Sequence, residues 1–201
     1  MPRLPPALRP RLVLASTRMG LPPEAVQRLQ PWMVSTLLTV RLAETVGFRT
    51  EQGVDLWLAG AARATGKPLW ALETVDRQIE ALAAGGDAAQ LASLVEVVEL
   101  IERGAAPAYF AGMLAAWRGG DAAAIDRIVR EESASPAMAP LLADLLDARN
   151  REMADAIVAR LQPGRRVFVA VGAGHFGGDA GLLAALSGRG FTLRQVEAKD
   201  D

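Results

Sequence analysis

Three residues carry the chemistry this sequence could perform: His175, Glu73 and Arg149. His175 is the only histidine among 201 residues. It lies in Gly172-Ala173-Gly174-His175-Phe176-Gly177-Gly178, directly after the apolar run Val167-Phe168-Val169-Ala170-Val171. An imidazole there can move a proton near neutral pH or ligate a metal, and the glycines let backbone come close to a ligand. Glu73 ends the short apolar stretch Leu69-Trp70-Ala71-Leu72. If that stretch and 167–171 are parallel strands, Glu73 and His175 open on the same sheet edge, where ligands bind in open α/β sheets. Such a pair can do general acid–base work or share a metal. The plainer alternative makes Glu73 part of a helix start and His175 a solvent-facing loop residue.

Arg149 belongs to a helical pattern over about 137–161, in which Met138, Leu142, Leu145, Leu146, Met153 and Ile157 define one face. At about 100° per residue, Arg149 falls inside that apolar stripe, with Asn150 at its edge. A guanidinium there must be paired or must line a polar cavity, because an unpaired buried charge is costly. A structural salt bridge, a snorkelling side chain and a functional role are all open. The glycine loop also satisfies G-x-G-x-x-G through Gly172, Gly174 and Gly177, and Glu197 follows about 20 residues later. Those are outlines of a dinucleotide fingerprint. A tight strand-to-helix turn explains the same glycines without a ligand.

The elements that must position these residues read as helix-rich α/β. Residues 1–22 are proline-punctuated and expected to be loose or only partly helical, ahead of a single domain over 23–201. A helix resumes at Trp32 and runs to about Val46, with Trp32, Leu37, Val40 and Leu42 toward the core. Another spans about Val54–Thr65, with Leu56, Ala59 and Ala62 inward. Lys67–Glu73 reads as a strand, and Thr74 caps a helix over about 75–84. Asp87 and Asp121 are N-caps for helices reaching about Arg103 and Glu131, and Pro107 opens one ending near Trp117. The strand 167–171, a helix at about 180–187 and a last strand at 191–196 close the chain. Three strands predict a small parallel or mixed sheet flanked by helices.

Bulk properties narrow the function classes. With 22 basic and 23 acidic residues the net charge is −1, so nothing recommends nucleic acid or an anionic membrane as partner. Zero cysteines exclude disulfides and thiolate chemistry. No apolar run reaches the ~18 residues a membrane helix needs, and the prolines near the start argue against a signal peptide.

The ordered motifs resemble the TraB/PrgY/GumN family, relatives of the Tiki proteases, from about Leu29 to Val196. The likeness rests on Pro31-Trp32-Met33, Gly53-Val54-Asp55, Gly66-Lys67-Pro68, Leu72-Glu73-Thr74 with Gln78, Arg149-Asn150-Arg151, the run 167–178, Gly181-Leu182-Leu183 and Gly190-Phe191. The resemblance implies an α/β fold in which two G-x-x-H motifs meet beside a glutamate and an arginine. Gly172–His175 matches the second G-x-x-H, Arg149 the arginine, and Glu73 the family's L-E-T segment. The first G-x-x-H has no counterpart, since there is no second histidine, so the chain resembles the C-terminal part of the family domain.

Two functions follow as expectations. One is a metal-dependent, peptidase-like hydrolase acting on a small molecule or peptide. Its divalent metal (Mn²⁺, Co²⁺ or Zn²⁺) would be held by His175 and Glu73, with His175, Glu73 and Arg149 as the catalytic set. The other is a non-catalytic ligand- or partner-binding module, with a homodimer or a complementing N-terminal half as partner. A dinucleotide-binding domain is the third and least favoured reading.

Overall fold

The computed structural model describes residues 4–131 and 135–196. Among the described residues eleven α-helices form: α1 Leu8–Arg18, α2 Pro23–Val26, α3 Pro31–Thr45, α4 Val54–Ala64, α5 Val75–Leu82, α6 Gly86–Glu102, α7 Ala106–Arg118, α8 Ala122–Glu131, α9 Ala139–Leu142, α10 Arg149–Val158 and α11 Leu182–Ser187. Among the described residues there is no strand, so the expected α/β class with a small sheet is overturned. The reason lies in the backbone. Residues 68–72, 166–171 and 192–196 make no backbone–backbone hydrogen bond among the described residues. A strand exists only through its ladder, and a few short unpaired segments do not make one.

The main core is helical. Leu8, Leu12 and Ala15 of α1, Val34, Leu38 and Leu42 of α3, and Leu94, Val98 and Ile101 of α6 recur at i, i+4 and i+7 or i+8 and bury together. Each large aliphatic side chain so removed from water stabilises the fold by about 1.5–3 kcal/mol. Over Leu8–Arg18 the N-terminal segment is therefore ordered helix. Pro10 sits in the first turn of α1, where its missing N–H breaks no intrahelical bond. The phase of α3 differs from the sequence expectation. Leu42 is buried, whereas Leu37 and Val40 are exposed and Trp32 is only half-buried. The buried stripe instead runs through Pro31, Val34, Ser35 and Leu38.

Helix α4 corrects a second expectation, since it buries no residue. Leu56 and Trp57 stand 56% and 71% exposed, and the less exposed side carries Leu58, Ala59 and Ala62. Gly85, at φ +81°, turns the chain from α5 into α6, and a Cβ there would meet the Leu141 backbone nitrogen at 2.9 Å. Glycine thus lets α9 lie directly on this turn, and Asp87 falls inside the first turn of α6 rather than capping it. The helix expected over about 137–161 forms as one uninterrupted helical run over 139–158, with a change of hydrogen-bond register inside it. A 3-10 turn Pro136–Met138, α9, a π-helical stretch Ala143–Ala148 and α10 follow one another. The second small core joins Met153, Ala154 and Ile157 of α10 to Leu182 of α11, with Leu72, Val169 and Val171 packed on it. It brings the ends of 69–72 and 167–171 beside α10.

Candidate functional site

The site forms where α10 begins. The π-helical stretch Ala143–Ala148 ends at Arg149, and both Arg149 and Asn150 are buried, at 6% and 1% exposed. π-bulges inside helices occur frequently at functional sites. Arg149 turns to Glu73: Nε donates to Oε2 at 2.8 Å and Nη2 to Oε1 at 2.6 Å, while Nη1 donates to the Leu145 carbonyl at 2.8 Å. This two-pronged guanidinium–carboxylate geometry is the strongest form of ion pair. It answers the question that burial of Arg149 posed. Arg149 holds the Glu73 carboxyl below its ordinary range, chiefly through these hydrogen bonds and against the opposing effect of burial.

Glu73 is placed by the residue after it. The Thr74 hydroxyl caps α5 by accepting from the Arg77 N–H at 3.1 Å, as expected from sequence. Arg77 in turn grips Glu152 of α10 at 2.8 and 3.0 Å, a second ion pair to α10 beside Glu73–Arg149.

Asn150 turns to the glycine loop. Its Nδ2 donates to the Ala180 carbonyl at 2.9 Å, and its Oδ1 lies 2.7 Å from His175 Nδ1. A carbonyl can only accept, which fixes the amide with Oδ1 toward the imidazole. Nδ1 must therefore carry the proton and donate to Oδ1. In the neutral ring Nε2 keeps the lone pair, and it has no hydrogen-bond partner among the described residues. The ring is half-buried. Burial first, and then the positive charge of Arg149, push its pKa below the ordinary 6.5, with Glu73 pulling the other way. Neutral imidazole with a free Nε2 is the form present at pH 7.

Helix α8 backs the loop. His175 ends a 3-10 turn Ala173–His175, and a Cβ on Gly177 would stand 2.2 Å from the Ala122 carbonyl oxygen. Gly177 is thus a close-packing glycine. At Gly174 a Cβ would meet nothing within 4 Å, and at Gly172 only His175 Cδ2 at 3.8 Å. Arg130 holds α8 in place by bridging Asp126 on its own helix at 2.8 Å and Asp147 of the π-helical stretch at 2.6 Å.

The three residues singled out from sequence are brought together, through different contacts from those expected. Glu73 pairs with Arg149, and His175 pairs with Asn150, whose part sequence reasoning missed. Its signal was adjacency to Arg149 on a buried helix start. The dinucleotide geometry does not form: no strand precedes the glycines, and α11 starts only at Leu182, after a turn. Glu197 lies outside the described residues. A metal held by His175 and Glu73 fits poorly, because both Glu73 oxygens are engaged by Arg149. Among the described residues no group of three or more His, Cys, Asp or Glu side chains could hold an ion, and three protein ligands are the usual minimum. No single described helix is long and apolar enough to cross a membrane.

A family model described as the TraB/PrgY/gumN family matches residues 2–195, and the chain belongs to this family. The match includes α1, upstream of the motifs that carried the resemblance. No curated protein and no solved structure matches the chain.

Proposed function

We propose that this member of the TraB/PrgY/gumN family is built for acyl hydrolysis, with His175 as its proton-transfer group. The observation that carries the reading is the fixed tautomer. Asn150 and the Ala180 carbonyl leave a basic Nε2 on a half-buried, neutral imidazole. Such a nitrogen takes a proton from water as the water oxygen bonds to an acyl carbon, and returns it to the departing amine or alcohol. Glu73 offsets part of the cost that burial and the charge of Arg149 place on the imidazolium formed in between. Arg149 is a positioning residue here. Three of its five N–H groups are engaged by Glu73 and the Leu145 carbonyl, which fixes the guanidinium against the carboxylate. A divalent ion would need ligands beyond the described residues, and no step here runs through one.

The second reading is a binding module without catalysis. It is favoured by one observation: mutual neutralisation of Glu73 and Arg149 leaves His175 as the one titratable group at the site with a free nitrogen. The test is hydrolysis of a mixed ester and peptide substrate panel by the parent chain, His175→Ala and Asn150→Ala. The catalytic reading expects turnover abolished in His175→Ala and reduced about 100-fold or more in Asn150→Ala, through loss of the fixed tautomer. Turnover that survives His175→Ala, or that no variant changes, overturns it.

A further inference from the structure

A groove of about 940 Å³ lies beside the site, between α4 and the segments 67–72 and 165–170. This is near the upper end of volumes that hold ligands. Its walls are apolar and uncovered: Leu69, Trp70 and Phe168 stand 50%, 46% and 81% exposed. Its charges are one-sided. Among the described residues, Lys67, Arg160, Arg165 and Arg166 line it against the single acid Asp55. None of these cations makes an ion pair among the described residues. Arg165 lies over the Trp70 ring, 5.1 Å from its centroid, and links the two walls.

The backbone along this groove is unspent. Residues 68–72 and 166–171 make no backbone–backbone hydrogen bond among the described residues. Between 167 and 171, burial alternates: Val167, Val169 and Val171 are half-buried while Phe168 and Ala170 are exposed. That period of two belongs to an extended chain with one face on the core. Such a segment, with open donors and acceptors, is a template for strand addition.

We propose that this groove takes an extended segment of a partner polypeptide in which apolar and acidic residues alternate, pairing its main chain with 166–171. Main-chain hydrogen bonds supply register, the apolar walls supply burial, and the four cations, without an ion pair among the described residues, select carboxylates. A segment of about six residues spans the roughly 20 Å that the template offers. The same charges argue against a second copy adding edge to edge, because Arg165 and Arg166 would then face their own equivalents. This surface is independent of proton transfer at His175.

The test uses the whole chain and fluorescein-labelled octapeptides of alternating valine and glutamate, alternating valine and lysine, and the acidic sequence N-methylated at alternate amides. Fluorescence anisotropy is expected to show saturable binding of the acidic peptide, binding of the lysine peptide at least about tenfold weaker, and none of the N-methylated one. Joint replacement Arg165→Glu and Arg166→Glu, both exposed, is expected to lower acidic-peptide affinity about tenfold or more while circular dichroism stays unchanged. His175→Ala is expected to bind as the parent does, which separates this result from the hydrolytic reading. Equal affinity for both charges, indifference to N-methylation, or no binding overturns the proposal. So does a sedimenting dimer that excludes the peptide, which would make a second copy the occupant.

Discussion

Replacing Glu73 by glutamine tests the ion pair on which the site is built. The substitution keeps the shape and removes the charge. Arg149, 6% exposed, would keep its 2.8 Å bond to the Leu145 carbonyl and one bond to the amide oxygen, while its other nitrogen would face an amide NH₂ and the charge would lose its counter-ion. Removing one partner of a buried pair costs about 3–5 kcal/mol. The Glu73 side chain is 19% exposed, so water can reach part of the vacated position, which lowers the expected loss to about 2–3 kcal/mol. For a chain of this length that corresponds to a Tm lower by about 4–12 °C. Urea and thermal unfolding of Glu73→Gln, Arg149→Met and the double variant Glu73→Leu/Arg149→Met measure it. The double variant is expected to recover most of the loss, because replacing both charges removes the orphan as well as the bond. A Glu73→Gln protein within about 0.5 kcal/mol of the parent would refute this account of the pair.

Because His175 is the only histidine, its ring proton gives an unobstructed NMR titration, expected to report a pKa below 6.5. Glu73→Gln should move it lower and Arg149→Met higher; opposite movements would show that other charges control the ring. Stability is expected to fall on acidification in two stages. A histidine whose folded pKa is depressed costs stability as pH drops below about 6.5, where the unfolded chain takes up the proton first. The depressed Glu73 carboxyl withdraws its contribution below 4.5. In His175→Ala, urea titrations across pH should show the second stage and lack the first. Gly177→Ala, which drives a Cβ into the Ala122 carbonyl, is expected to destabilise by about 1–3 kcal/mol. Gly174→Ala, with open space around it, should stay within about 0.5 kcal/mol; equal effects would contradict the packing role of Gly177.

Local signals with one physical solution were readable from the residues. Thr74 caps α5, Asp121 accepts from the Ala124 N–H at 2.8 Å at the start of α8, and Arg149 on an apolar stripe had to be paired. The ordered motifs led to the family that matches residues 2–195. Phase and partnership were not readable in the same way. The stripe on α3 could be laid through Leu37 and Val40 or through Val34 and Leu38, and only packing against α6 selects the second. Val167–Val171 has a strand's composition, yet a strand is a property of two segments, and no second one pairs with it among the described residues. The pairing of Asn150 with His175 joins positions 25 residues apart. It depends on a π-helical stretch and on the close approach of α8 to Gly177, neither of which a local pattern encodes. Propensity, capping and charge burial act within a few residues, so sequence reports them directly. Helix phase, strand pairing and the state of an imidazole are settled by distant contacts, which exist only once the chain has folded.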